Sequence, residues 1–282
     1  MKLGIIGGGF VGKATHILKC DKINIIVYDI LPELCNPVGT TLEDLAHCDL
    51  IFISVPTPMN RDGSCHLGIL QSVIQDLTKL MDLDNNCVVI RSTVPAGTSD
   101  KLNCYFMPEF LTEKHFEQDF INNERWIFGI KGTEQDEKFK QLITELFNSS
   151  KDAGKIKSNL MTFMSNSEAE MVKLFRNTFL ATKIAFCNEI YEFCQRKGIN
   201  YEMVREYGTI DTRIGPSHSN VPGHDGKLGY GGTCFPKDIN NLCNEMKEND
   251  MRSYILSAVI ERNEQHDRVE HDWEQNKGRA VI

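Results

Sequence analysis

The chain has 282 residues, room for one large domain or two modest ones. Hydrophobic residues make up 41% and charged residues 25%, the balance of an ordinary globular protein. A formal net charge of −8 argues against nucleic acid or anionic lipid as the main partner, while a small anionic ligand remains compatible wherever basic groups gather.

The N-terminus, MKLGIIGGGF, lacks the basic stretch and apolar core of a secretory signal. None of the ten cysteines falls into a CxxC pair or a Cys/His cluster at zinc spacing, so no metal site is expected. They read as reduced thiols in a cytoplasmic chain. No apolar run approaches the ~20 residues that span a bilayer.

Short β-branched runs alternate with amphipathic stretches through the first half. KLGII, INIIVYD, LIFISV, CVVIRS, CYFM and RWIFGI are strand candidates; residues 67–81 and 133–147 are helix candidates. That alternation predicts crossover connections and a parallel sheet. Between the first strand and the helix VGKATHIL, Gly7-Gly8-Gly9-Phe10-Val11-Gly12 satisfies GxGxxG. Gly7 permits the tight turn, Gly9 lets backbone approach a pyrophosphate, and Gly12 lets helix and strand pack closely. Asp29 ends the second strand about 20 residues further on, where a carboxylate accepts from a ribose 2′-hydroxyl and repels a 2′-phosphate. These features predict a Rossmann-type domain that takes NAD rather than NADP.

VPTP (Val55–Pro58), STVPAGT (Ser92–Thr98) and MPEFLTE (Met107–Glu113) fall at strand ends, where an open parallel sheet places its ligand. Each also reads as a simple proline turn. Near residue 165 the pattern changes. Ser167-Glu168-Ala169-Glu170 fits a capping box, apolar residues recur from Met171 to Cys194, and Gly198 stands at a C-terminal cap. The implied helix of about 30 residues is roughly 45 Å long, more than one small core needs, so it joins two layers or pairs with a second subunit. On it, Lys173 and Asn177 share a face. Taken alone, they read as polar side chains reaching past a core to solvent. The division expected is a domain over 1–165 and a mainly helical domain over 166–282. The last stretch, ERNEQHDRVEHDWEQNKGR, is polar and weakly ordered by pattern.

In LGYGGTCFPKDIN, Pro236 suits the first turn of a helix, which puts Cys234 at or just before a helix N-terminus with Lys237 close by. Both features favour thiolate over thiol. Gly229, Gly231 and Gly232 would let a substrate approach the sulfur. A cysteine in that setting can hold an aldehyde covalently.

Taken in order, GGGFVG, VPTP, STVPAGT, PEFLTE, EAEMVKLFRNTFLATKIAFCNE, DTRIG and GYGGTCFPKD resemble the UDP-glucose/GDP-mannose dehydrogenase family. The resemblance implies a four-electron oxidation of a nucleotide sugar to the uronate with two NAD. UDP-glucose is the leading substrate, GDP-mannose or a UDP-N-acetylhexosamine the alternative. It implies Cys234 as nucleophile, Lys173 and Asn177 as oxyanion stabilisers, Asp238 and Thr93 around a catalytic water, and Glu113 as general base. It assigns Gly7, Gly9, Phe10, Val11, Gly12, Asp29, Pro56, Thr57, Thr93 and Lys237 to the cofactor. To the substrate it assigns Glu109, Phe110, Leu111, Lys173, Asn177, Arg213, Gly229 and Gly231. A homodimer through the long helix follows by the same analogy. Family members continue into a third, nucleotide-binding domain; this chain stops at KGRAVI, which reads as its threshold or a worn remnant. Two rivals remain: a 3-hydroxyacid dehydrogenase, which transfers one hydride and needs no thiol, and a NAD-binding chain without turnover.

Overall fold

The computed structural model describes residues 1–282. The chain divides into two compact units, Met1–Thr57 with Leu67–Lys173, and Pro58–His66 with Leu174–Ile282.

The first unit is built on seven strands: β1 (Lys2–Ile6), β2 (Asn24–Tyr28), β3 (Leu50–Ile53), β4 (Cys87–Ile90), β5 (Tyr105–Phe106), β6 (Trp126–Ile130) and β7 (Met161–Ser165). They hydrogen-bond in the order β2-β1-β3-β4-β5-β6-β7. The helices are α1 (Phe10–His16), α2 (Leu42–Leu45), α3 (Gly68–Leu80), α4 (Thr98–Lys101), α5 (Phe116–Ile121) and α6 (Asp136–Asp152). The residues of β1, β3 and β4 are almost all buried, because helices cover both faces of a crossover-built sheet. Alternate side chains divide into two apolar clusters: Leu3, Ile5, Phe52 and Val89 in one, Ile6, Ile51, Ile53 and Ile90 in the other. The strand order reverses at β1, so the carboxyl ends of β1 and β3 flank the switch-point crevice where such sheets bind ligands.

All six expected strands form. The sheet departs from the all-parallel expectation at one place, where β5 meets β6 antiparallel through the single pair Phe106↔Gly129. The seventh strand, MTFMS, gave no pattern strong enough to predict; its parallel pairing with β6 supplies the order. The helix expected over 133–147 runs from Asp136 to Asp152, its entry fixed by Asp136, whose carboxylate accepts from the N–H groups of Lys131, Gly132 and Thr133.

The long helix α7 covers Asn166–Lys197, and the boundary between the units falls within it, after Lys173. Gly198 follows in the left-handed region, φ 66°, as its cap. The capping box lies two residues before the expected one. Ser165 and Glu168 satisfy each other, with Ser165 N–H and Oγ 2.8 and 2.7 Å from Glu168 Oε2. Both Ser165 and Ser167 are followed three residues later by a glutamate, so the pattern itself is degenerate. Glu170 is thereby released for another task. Fully buried, it accepts from Gly97 N–H at 2.5 Å and Ser99 N–H at 2.8 Å, and so caps α4 from a distant part of the chain.

The second unit adds α8 (Tyr201–Gly208), α9 (Phe235–Glu248) and α10 (Ile255–Arg262), then a π-helical turn at Asn263–Asp267 and a 3₁₀ turn at Asp272–Gln275. The final stretch is ordered, contrary to its sequence pattern: Arg268 and Trp273 are buried there. Its order comes from ion pairs of Arg268 with Asp225 and Asp272, which leave no periodic apolar trace. KGRAVI is also engaged. Met59 N–H donates to Ala280 O (2.9 Å) and Ile282 N–H to Met59 O (3.1 Å), a parallel bridge to the 58–66 segment.

Burial pushes the Glu170 carboxyl up to about 7 from its ordinary 4.5, against the lowering pull of Ser99, side chain and N–H, and of the Gly97 N–H. Between those values the folded chain holds a proton that the unfolded chain has released, so the folded state loses stability as pH rises through this window. Thermal melts across it should show the parent losing stability relative to Glu170→Gln, whose side chain cannot ionise. A difference that does not vary with pH would contradict this assignment.

Candidate active site

In the first unit, the dinucleotide motif is assembled as its glycines require. Gly7 has φ +100°, and a Cβ there would press on the Ser54 carbonyl; a Cβ on Gly12 would collide with the Gly7 carbonyl. Gly9 is different. It is exposed, and nothing lies within 4 Å of its absent Cβ. The α1 helix that it precedes has no side-chain cap and no acidic residue in its first turn, which leaves donors for a phosphate. Asp29 follows β2, with Oδ2 2.6 Å from Gly8 N–H and Oδ1 2.9 Å from Leu31 N–H, so the carboxylate is held at the rim of the same crevice. An open glycine, an uncapped helix start and a fixed carboxylate after β2 fit a nicotinamide dinucleotide. Phe10 and Val11 open α1, and Val11 O accepts from Thr15 Oγ1.

The β3 and β4 ends are tied together: Thr57 Oγ1 donates to Thr93 O (2.7 Å), and Ser92 Oγ to Val55 O (2.6 Å). Pro56 is exposed beside them. The VPTP and STVPAGT segments are thus one cross-braced rim. After β5, Glu109 is buried, its Oε1 2.6 Å from Lys173 Nζ and its Oε2 2.9 Å from Leu111 N–H. Lys173 Nζ also donates to Glu109 O at 2.8 Å and lies 5.9 Å from the Phe110 ring centroid. Lys173 therefore does not reach past the core to solvent; it is a buried ammonium held by a buried carboxylate. Glu113 is exposed on the same loop.

In the second unit, Cys234 is the N-cap residue of α9, and Asp238 N–H closes the first helical bond to Cys234 O at 2.8 Å. Pro236 occupies the first turn, where a missing N–H costs nothing. Thr233 Oγ1 lies 3.8 Å from the sulfur. The Asp238 carboxylate is fully buried and doubly bound, by Asn177 Nδ2 and Lys237 Nζ, each at 2.5 Å. Burial opposes the Lys237 ammonium, but Asp238, Cys65 and Cys234 outweigh it and hold Lys237 above the ordinary lysine range. Lys237, expected at the cofactor, is engaged here with Asp238. Asn177 lies one turn beyond Lys173 on α7.

Two expectations fare differently. Arg213 is not drawn into this cluster; its side chain is 88% exposed and pairs with Asp211. At Gly229 and Gly231 the room left by glycine is filled by protein, Asn263 Oδ1 against the first and Arg268 Nη2 against the second. Gly232, φ +75°, has nothing within 4 Å and is the open position of the loop. Sequence reasoning missed the buried Asn188, Asn263 and Arg268, which donate to or accept from the backbone of Leu228, Gly229 and Tyr230; the last two lay in a polar run and the first in an apolar helix, neither a signal for that contact.

The central-domain model of the UDP-glucose/GDP-mannose dehydrogenase family matches residues 167–265, and that family's NAD binding domain matches residues 37–149. The chain is 34% identical to a UDP-glucose 6-dehydrogenase of Pseudomonas aeruginosa, over 93% of this chain and 65% of that one. A UDP-glucose 6-dehydrogenase of Rickettsia felis is 32% identical over 93% of this chain and 63% of its own length. The solved UDP-glucose dehydrogenase of Pyrobaculum islandicum superposes with a TM-score of 0.79 at 25% identity, covering 94% of this chain and 68% of that one. An α/β sheet with a dinucleotide fingerprint, followed along the chain by one long helix and a helical unit, is the architecture of a Rossmann-type NAD-binding protein. Within it, this chain belongs to the UDP-glucose/GDP-mannose dehydrogenase family. It spans just under two thirds of the length of the first two curated relatives it matches. No helix is long and apolar enough to cross a membrane.

Proposed function

We propose that the chain is a NAD-dependent nucleotide-sugar 6-dehydrogenase that oxidises UDP-glucose to UDP-glucuronate through a thioester on Cys234. The observation that carries this reading is Cys234 at the start of α9 beside the buried Lys237–Asp238–Asn177 network, in a chain that carries the family's NAD-binding domain. The division of labour is a cofactor domain over 1–165 and a helical domain with the cysteine loop over 166–282. The two matched family domains fall within those ranges.

Gly7, Gly9, Gly12 and Asp29 would hold NAD, which when bound would accept one hydride in each of two oxidations. In the first, the C6 alcohol loses a hydride and a proton and becomes an aldehyde. The Cys234 thiolate adds to the carbonyl carbon, and the oxygen takes a proton to give a thiohemiacetal. That carbon then loses a second hydride and its oxygen a proton, leaving a thioester. Water adds, the C–S bond breaks, and carboxylate and thiolate are released. Lys173 and Asn177 stabilise the oxyanions by charge and hydrogen bonding. Asp238 and Thr93 orient the water, and Glu113 accepts its proton. Each is held by a partner of its own, Lys173 by Glu109 and Asn177 by Asp238.

Oligomerisation is part of the proposal. On α7, Phe175, Phe179, Phe186 and Phe193 are 54–63% exposed, and at 3.6 residues per turn they form one stripe. Such a stripe is the seam of a helix that pairs with another copy of itself. Ten cysteines that are all reduced accord with a cytoplasmic setting.

Full-length protein incubated with UDP-glucose and NAD should form two NADH per sugar consumed. Cys234→Ala should lower kcat by on the order of 10³-fold or more while NAD binding persists. One NADH per sugar would instead support the single-hydride rival. Sedimentation of Phe179→Glu/Phe186→Glu should give a monomer where the parent gives a dimer; a parent that sediments as a monomer overturns the assembly.

A further inference from the structure

We infer that Asn263 and Arg268 are positioning residues for the Cys234 thiol, acting through the glycine-rich bend that leads to it. The inference rests on the reading of Cys234 as the nucleophile.

The bend's backbone is satisfied by side chains. Arg268 Nη1 donates to Leu228 O at 3.1 Å, and Gly229 N–H donates to Asn188 Oδ1 at 3.1 Å. Tyr230 is held from both sides by one carboxamide: its N–H donates to Asn263 Oδ1 (2.8 Å), and its carbonyl accepts from Asn263 Nδ2 (3.0 Å). That is the pairing a neighbouring strand would provide, delivered instead by one buried side chain. Asn188, Asn263 and Arg268 are all buried.

The π-helical turn accounts for the arrangement. Arg268 N–H bonds to Asn263 O at 2.7 Å, five residues back, which widens the turn so that both side chains serve one loop. Arg268 is itself braced by Asp225 and Asp272. The close approach explains two glycines at once, since any Cβ on Gly229 or Gly231 meets Asn263 or Arg268.

Beyond the clamp, the chain has little freedom left. Tyr230 and Phe235 pack in one apolar cluster with Ala181, Ala185 and Ile239, their rings edge-on at 6.5 Å. Only Gly231, Gly232, Thr233 and Cys234 lie between these two anchored aromatics. Gly231 and Gly232 would otherwise wander, so the clamp fixes the path by which the chain enters the α9 N-terminus, and with it the setting of the Cys234 side chain on that first turn. A nucleophile displaced by about 1 Å can lose on the order of 10²-fold in rate.

Asn263→Asp keeps the shape but sets a carboxylate oxygen against the Tyr230 carbonyl; Arg268→Lys keeps the charge but loses the fork. In the full chain without substrate, alkylation of Cys234 by iodoacetamide is followed across pH by peptide mass mapping, with Cys243 as internal reference. Both variants should shift the Cys234 rate and its pH profile several-fold while Cys243 labelling is unchanged. With UDP-glucose and NAD, kcat should fall on the order of 10²-fold, with the KM for NAD unaltered. Unchanged Cys234 labelling in either folded variant overturns the role. Loss of fold in both, seen by circular dichroism, also overturns it, because the residues would then be merely structural. A parent chain that makes no NADH sinks the functional reading instead and leaves the labelling comparison to decide the positioning role.

Discussion

A carboxylate removed from water must be paired, and Asp238 is the place where this protein meets that requirement most directly. Its two oxygens take Asn177 from α7 and Lys237 from its own helix, both at 2.5 Å. Removing one partner of such a buried pair typically costs about 3–5 kcal/mol, so the geometry is strongly enforced. The same pairing fixes the first turn of α9 and keeps an ammonium within the field of Cys234. The thiol is thus presented by a rigid helix start, whereas a free loop would leave it to wander.

The long helix repeats this logic along its length. Glu170, Lys173, Asn177 and Asn188 fall on one face at helical spacing, and each is buried against a different partner. Glu170 caps α4, Lys173 pairs with Glu109, Asn177 binds Asp238, and Asn188 holds Gly229. The exposed phenylalanines occupy the opposite face. One helix therefore carries a buried polar stripe and an aromatic stripe. A periodicity search tuned to apolar residues registers only the second kind clearly.

That division explains what the sequence could and could not disclose. The strand cores and GxGxxG were legible because each rests on local sterics: Gly12 is glycine because the Gly7 carbonyl is there. The buried fate of Lys173 was not legible, since its partner Glu109 lies 64 residues away. β7 was missed because five residues of mixed polarity take their order from β6. The capping box slipped by two residues because two serines satisfied the same pattern. The C-terminal stretch looked weakly ordered because Arg268, Asp225 and Asp272 hold it by charge, a contact that sequence spacing does not encode.

The central claim is that a sulfur–carbon bond forms during turnover. It is tested most directly by mass analysis of a Glu113→Gln protein, which lacks the proposed general base for hydrolysis, quenched after one cycle with UDP-glucose and NAD. The account predicts two NADH formed and a UDP-glucuronyl adduct on the peptide bearing Cys234. Release of uronate with that cysteine unmodified at every quench time would contradict it.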